Sequence, residues 1–175
     1  ELLIKELNQT EKEYKKDSNL VKEFEKIVEK YPNRIAVSCK NESLTYEELN
    51  SRANALASKI CNSNIETDII AFEMARSVDM IVAIWGILKS GHTYMPIDPE
   101  YPEERKNVML NASGARMLVT TKELAEKISF EGTKIIIENQ MQKENLQLQI
   151  PSNKKAYIMY TSGSTGVPKA VTIRH

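Results

Sequence analysis

The stretch YTSGSTGVPKAV, Tyr160 to Val171, puts two glycines, four serine or threonine hydroxyls and one lysine into a single short turn. A folding core has no use for that composition, whereas a polyphosphate does. Gly163 and Gly166 let the backbone take positive φ and approach a ligand with no Cβ in between. Successive backbone N–H groups in such a turn form an anion-binding concavity. The hydroxyls of Thr161, Ser162, Ser164 and Thr165 add donors, and Lys169 adds a full positive charge. A flexible Ser/Gly linker is the competing reading. Against it, Ala156 to Tyr160 in front and Ala170 to Arg174 behind both read as strands. The expectation is a nucleotide-binding loop, with Thr161, Ser162, Gly163, Ser164, Thr165, Gly166 and Lys169 as its binding residues.

Two familiar phosphate motifs fail here. The Walker loop needs a glycine before its lysine and a hydroxyl after it, and Lys169 stands between Pro168 and Ala170. The dinucleotide pattern G-x-G-x-x-G fails because the spacing of Gly163 and Gly166 does not continue to a third glycine.

Outward from the loop, period and punctuation give the elements. Leu20, Phe24, Ile27, Val28 and Tyr31 recur at helical spacing behind a Ser18 or Asn19 cap, and Pro32 ends that helix. Ile35 to Cys39 reads as a short strand. Thr45 and Glu48 form a capping box, which assigns the whole segment Leu44 to Asn50 to a helix start and to folding rather than catalysis. A strand at Ile69 to Met74 precedes an all-round apolar helix, Val78 to Lys89, read as buried with Trp85 inside it. Further elements are a strand near Thr93 to Met95, a helix from Pro102 to about Ala112 stopped by Gly114, and a strand at Arg116 to Thr120. A short helix near Glu123 to Ile128 and a strand at Thr133 to Glu138 then lead into a polar loop from Asn139 to Lys155. Such alternation predicts an α/β fold: a mostly parallel sheet with helices on both faces. Ligands of such sheets bind beyond the carboxyl ends of the strands, where the Tyr160 to Lys169 loop leaves its strand.

Other conspicuous residues have plainer readings. Asp98 with Pro96 and Pro99 reads as a rigid turn between strand and helix. Glu103 and Glu104 favour a helix dipole, and His92 and His175 lack partners at metal or triad spacing. Met74, Met80, Met95, Met109 and Met117 fall on core positions. Cys39 and Cys61 form no metal or redox spacing and read as reduced, partly buried thiols of a cytoplasmic protein; no metal site is expected.

The chain has 24 basic and 24 acidic residues, which gives no electrostatic case for nucleic acid or an anionic membrane. Lys12, Lys15, Lys16 and Lys22, the nearest thing to a basic run, are interleaved with acids and read as a solvated face. The apolar run Met80 to Leu88 is far short of the roughly 20 residues that span a bilayer. Neither a nucleic-acid nor a membrane partner is expected.

The run AYIMYTSGSTGVPKAV resembles the phosphate-loop signature of the adenylate-forming (AMP-binding) enzymes, with Ala170 standing where that family usually has glycine. Leu44 to Asn50 (LTYEELN) and Leu88 to Arg105 (LKSGHTYMPIDPEYPEER) are similar to the first two core motifs of adenylation domains in nonribosomal peptide synthetases. The segment from Leu2 to Val37 resembles what leads into such a domain after a condensation domain. The resemblance therefore implies a linker at residues 1–18 and the N-terminal portion of an adenylation domain at 19–175.

It also implies a parent enzyme that joins an amino acid to ATP, with Mg2+, to give an aminoacyl adenylate and pyrophosphate. The parent then loads the thiol of a phosphopantetheine-bearing carrier protein. Implied partners are the rest of the adenylation domain, the carrier protein and the condensation domain. The family's amino-group aspartate, specificity pocket, adenine, ribose and metal segments and catalytic lysine belong to later regions. The chain is accordingly expected to be a fragment, inactive by itself and without catalytic residues of its own. An acyl-CoA or aryl-acid ligase fragment, or a non-catalytic interaction piece that kept the fold, are the alternatives.

Overall fold

The computed structural model describes residues 18–161 and 169–175. Residues 1–17, which hold most of the expected linker and Lys12, Lys15 and Lys16, lie outside that description. Helix α1 (Leu20–Lys30) starts at Asn19, whose side chain accepts from the Lys22 N–H at 2.9 Å, and it buries Val21 and Phe24. Strand β1 (Ile35–Cys39) turns through Lys40, at φ 54°, into β2 (Glu42–Thr45), and the two form a separate antiparallel pair. β2 corrects the assignment of all of LTYEELN to a helix start, since Leu44 and Thr45 close a strand. Only Leu44 of those four residues is buried, so no alternation announced it.

Helix α2 (Tyr46–Cys61) then opens with the expected capping box. Thr45 accepts from the Glu48 N–H at 3.2 Å, and the Glu48 carboxylate accepts from the Thr45 N–H at 2.8 Å, which holds the Glu48 pKa below its ordinary value.

The main sheet holds β3 (Ile69–Glu73), β4 (Thr93–Ile97), β5 (Met117–Thr120), β6 (Thr133–Ile136), β7 (Lys155–Thr161) and β8 (Lys169–Arg174), in the order β6-β5-β3-β4-β7-β8. All neighbours are parallel except β7 and β8. Helices α3 (Val78–Lys89), α4 (Glu103–Ser113) and α5 (Lys122–Ala125) connect the strands. Gly114, at φ 69°, ends α4 in the left-handed conformation expected of a helix stop. The short α5 does not run on to Ile128.

Alternation along the strands divides the core. Ile70, Phe72, Met117, Val119 and Ile135 face α2 and α3, meeting Leu49, Leu56, Ile60, Val82, Ala83 and Ile87. Ala71, Met95, Ile97 and Leu118 face the other way, onto Met109 and Leu110 of α4. Helices thus cover both faces, as the βα alternation predicts. At Gly86 a Cβ would stand 2.6 Å from Leu56 Cδ2, so the glycine is what lets α3 approach α2.

The all-round apolar reading of α3 overshoots. Val78, Val82, Ala83 and Ile87 are buried, while Met80, Ile81, Ile84 and Trp85 remain half-buried, and the Trp85 ring stacks on Phe24 at 3.9 Å between centroids. Cys61 is exposed rather than partly buried, and Cys39 is half-buried. Among the described residues, no helix is long and apolar enough to cross a membrane.

Candidate functional site

Parallel strands β3, β4, β5 and β7 finish at one edge of the sheet, at Glu73, Ile97, Thr120 and Thr161. β7 and β8 are joined across that edge: Thr161 lies opposite Lys169, and the Thr161 hydroxyl donates to the Lys169 carbonyl at 3.4 Å. The structure therefore brings Thr161 and Lys169 together at the two mouths of the loop. Ser162, Gly163, Ser164, Thr165 and Gly166 lie outside the described residues. Lys169 is exposed and has no carboxylate partner among the described residues. Tyr160, packed on the cluster that contains Ile97 and Met109, has its phenol pKa raised by burial.

The turn after β4 borders the same place. Tyr94 pairs with Tyr157, and counting along the parallel strands puts Ile97 level with Tyr160. Asp98 then makes the expected rigid turn: its side chain accepts from the Glu100 N–H at 2.9 Å and its carbonyl from the Tyr101 N–H at 3.1 Å. Both bonds are internal to the turn and hold its backbone. Pro102 precedes α4, and Glu103 and Glu104 occupy its first turn, as read from the sequence.

A buried charge pair missed by sequence reasoning fixes α4 to this edge. Glu73, fully buried at the end of β3, lies 2.8 Å from the Lys106 ammonium, which also donates to Glu103 at 2.9 Å. Neither Glu73 oxygen receives a well-aligned hydrogen bond, so the contact is an ion pair held off the ideal direction. Burial pushes the Glu73 carboxyl up despite Lys106. Burial works to lower the Lys106 pKa, but the attraction of the Glu73 and Glu103 carboxylates outweighs that and leaves it raised. The available signal was a lone acid in the otherwise apolar strand IIAFE.

A second buried lysine serves the scaffold. Lys89 contacts Glu25, donates to Asn50 at 2.9 Å and to Asn145 at 3.2 Å, and so ties α3 to α1, α2 and the long loop before β7; burial lowers its pKa. All three ammonium protons are used, which leaves nothing for a ligand.

Both histidines lie at the far edge. His92 precedes β4 and its Nδ1 lies 2.9 Å from the Ser90 hydroxyl, while His175 follows β8, its Nδ1 accepting from the Leu20 N–H at 3.3 Å. Burial, then the nearby Lys154 charge, lowers both pKa values. A cleft of about 820 Å3, lined by Leu110, Arg116, Phe130 and Thr133, also opens at this amino-terminal edge, away from Thr161 and Lys169. The described residues contain no group of three acids, histidines or cysteines able to hold a metal.

Known proteins share this sequence pattern and fold. The family described as AMP-binding enzyme matches residues 24–175. Gramicidin S synthase 1 of Brevibacillus brevis is 41% identical over 177 residues, covering 97% of this chain and 16% of that protein. Bacitracin synthase 1 of Bacillus licheniformis is 38% identical over 177 residues, covering 99% of this chain and 3% of that protein. The chain thus spans only a small part of the length of these curated relatives. Among solved structures, the N-terminal subdomain of Klebsiella oxytoca NpsA superposes with a TM-score of 0.78 at 26% identity, over 92% of this chain and 43% of that one. The nonribosomal peptide synthetase FmoA3 gives a TM-score of 0.87 over 97% of this chain and 18% of that one, at 24% identity, a likeness of fold.

Proposed function

The chain belongs to the AMP-binding enzyme family, and from that premise we propose that residues 19–175 form the N-terminal portion of an amino-acid-activating adenylation domain in a nonribosomal peptide synthetase. Residues 1–18 are then the connection from a preceding condensation domain. The whole protein joins an amino acid to ATP, releases pyrophosphate, and passes the aminoacyl group to the thiol of a phosphopantetheine-bearing carrier protein in the cytoplasm. The observation that carries this reading is the pairing of Thr161 with the exposed Lys169, which has no carboxylate partner among the described residues, at the carboxyl edge of a parallel sheet.

In this reading Thr161, Ser162, Gly163, Ser164, Thr165, Gly166 and Lys169 hold the ATP phosphates. As pyrophosphate leaves, its oxygens gain charge, and oriented N–H groups, hydroxyls and the Lys169 ammonium stabilise them in the transition state. Lys169 fits that role, exposed at the start of β8, and so does the exposed Thr161 once its one O–H turns from the Lys169 carbonyl to a phosphate oxygen. Mg2+ accompanies ATP in the whole enzyme, but the described residues offer it no ligand cluster, so no step is assigned to it. The groups that grip the amino acid and the adenine are also assigned to later regions, so the 175-residue chain alone does not turn over.

Amino-acid-dependent exchange of labelled pyrophosphate into ATP by the full-length protein tests this proposal. One or a few amino acids are expected to support exchange. Exchange supported by no amino acid but by an aryl acid would move the protein to the runner-up reading. That alternative draws support from the NpsA subdomain, which is known in complex with 3-hydroxybenzoyl-AMSN.

A further inference from the structure

Arg105 has no task in the scheme above, yet it is held in a defined posture. Its guanidinium lies 4.0 Å from the centre of the Tyr101 ring. Its Nε is sealed from solvent with no hydrogen-bond partner, and no carboxylate pairs with it among the described residues. Glu103, two residues earlier and so on another face of α4, is engaged by Lys106. Leaving a guanidinium donor buried and unpaired costs stability. The Tyr101 ring covers the guanidinium on one side, while the terminal Nη groups, unlike Nε, are not sealed and are donors of the kind that suits a phosphate.

Its position is fixed independently from two sides. Lys106, the next residue, is pinned to Glu73 at the carboxyl end of β3. Tyr101 closes the Asp98 turn at the carboxyl end of β4, and both Tyr101 and Tyr160 pack on the cluster containing Ile97 and Met109. Arg105 therefore stands at the same sheet edge as Thr161 and Lys169, a second cation there without a carboxylate among the described residues.

We infer that Arg105 is a phosphate-ester-binding residue of this edge, its guanidinium oriented by Tyr101, so that the site takes charge from two cations rather than from Lys169 alone. The inference rests on the function proposed above. Two phosphate esters meet in that function, the polyphosphate of ATP and the phosphopantetheine arm of the carrier protein, and the shared chemistry is a phosphate oxygen accepting from guanidinium N–H groups.

Equilibrium binding of ATP and, separately, of free phosphopantetheine is measured with the full-length protein as wild type, Arg105→Gln and Arg105→Lys, each alongside its thermal unfolding midpoint. Arg105→Gln is expected to weaken at least one ligand by roughly tenfold, the loss of one charge-assisted contact. Arg105→Lys recovers part of that loss, and the midpoints stay together. The arm that moves names the ester: an ATP effect appears as a raised KM for ATP in pyrophosphate exchange, and a phosphopantetheine effect as a raised KM for the phosphopantetheine-bearing carrier protein with its thiol free, each with little change in kcat. Binding of both ligands unchanged in Arg105→Gln overturns the inference, as does weakening that merely tracks a lowered midpoint. A wild-type protein that binds neither ligand removes the adenylation reading and this site with it, whereas a wild type that binds both beside an indifferent Arg105→Gln removes this site only.

Discussion

Strands β3 and β8 look alike in sequence and live differently in the fold. IIAFE is buried from Ile70 onward, with Ile70 and Ala71 fully enclosed, whereas every residue of KAVTIR is exposed, Val171 at 44% and Ile173 at 41%. The difference is position. β3 lies between β4 and β5 with helices on both faces, and β8 is the antiparallel edge, paired only with β7. Apolar alternation identifies a strand, but not how many layers cover it. The buried strand spends its one charge, Glu73, on an ion pair that fixes α4. The exposed one begins with Lys169, a charge left facing outward. Stability is therefore concentrated at β3 and the candidate chemistry at the end of β7 and the start of β8.

The contrast is most vulnerable at Glu73. Glu73→Gln leaves the buried Lys106 without its main partner and is expected to cost about 3–5 kcal/mol in urea unfolding of the chain, with Trp85 emission as the probe. The double change Glu73→Leu, Lys106→Leu, which puts an apolar pair in the same space, should return to within about 1 kcal/mol of wild type. If the single variant is as stable as the parent, the pair is not the pin described above.

Alanine at matched isoleucines measures the difference in burial directly. Ile70→Ala should lose about 2–5 kcal/mol, the cost of a core cavity. Ile173→Ala should stay within about 0.5 kcal/mol, because its site is already open to solvent. Equal losses in the same denaturant titration would mean that β8 is covered in solution.

Lys169→Ala asks whether the exposed region carries function. Pyrophosphate exchange by the full-length protein at subsaturating ATP should fall roughly ten- to a hundredfold, one charge-assisted contact of about 1.5–3 kcal/mol, with the unfolding midpoint unmoved. Wild-type exchange in this variant would end the phosphate-loop reading.

The smallest effect is set by pH. His92 and His175 have pKa values below the ordinary 6.5, so their contribution to stability is present above that value and lost as pH falls through the lowered folded values. Glu73, with a raised pKa, has the opposite sign: its contribution is full below its ordinary 4.5 and declines as pH rises through its folded value. Thermal midpoints should therefore drop modestly as the pH is lowered from about 7.5 to about 5.5, and the double variant His92→Gln, His175→Gln should flatten that slope. An unchanged slope in the double variant would place the acid sensitivity elsewhere.

Much of the scaffold was legible because its signals are local. Asn19, the Thr45–Glu48 box, Pro102 and Gly114 mark helix ends by the bonds or dihedrals they supply, and β1 has the bounds read for it. β2 was not legible, with one buried side chain in four residues. Nor was the role of the polar stretch before β7. Its Gln/Asn content reads only as loop, yet Asn54 donates to the Gln142 carbonyl at 3.1 Å and to the Asn145 side chain at 3.0 Å, and Lys89 reaches the same asparagine. Of the candidate site, residue types announced Thr161 and Lys169, while nothing in the run YPEER distinguishes Arg105 from a solvated helix charge.

Local sequence was enough for the alternation of strand and helix, most element ends, and a turn whose glycines, hydroxyls and lysine suit phosphate. Each of these depends on residues within a turn or two of one another, so period, capping and composition suffice to reveal it. Only folding settled the order β6-β5-β3-β4-β7-β8, the burial of β3 against the exposure of β8, the Glu73–Lys106 pin, the contact of Arg105 with Tyr101, and the packing of Tyr101 and Tyr160 on one cluster. Most of those features join segments far apart in the chain. Their energies come from desolvation and from contacts that exist only once the layers have closed.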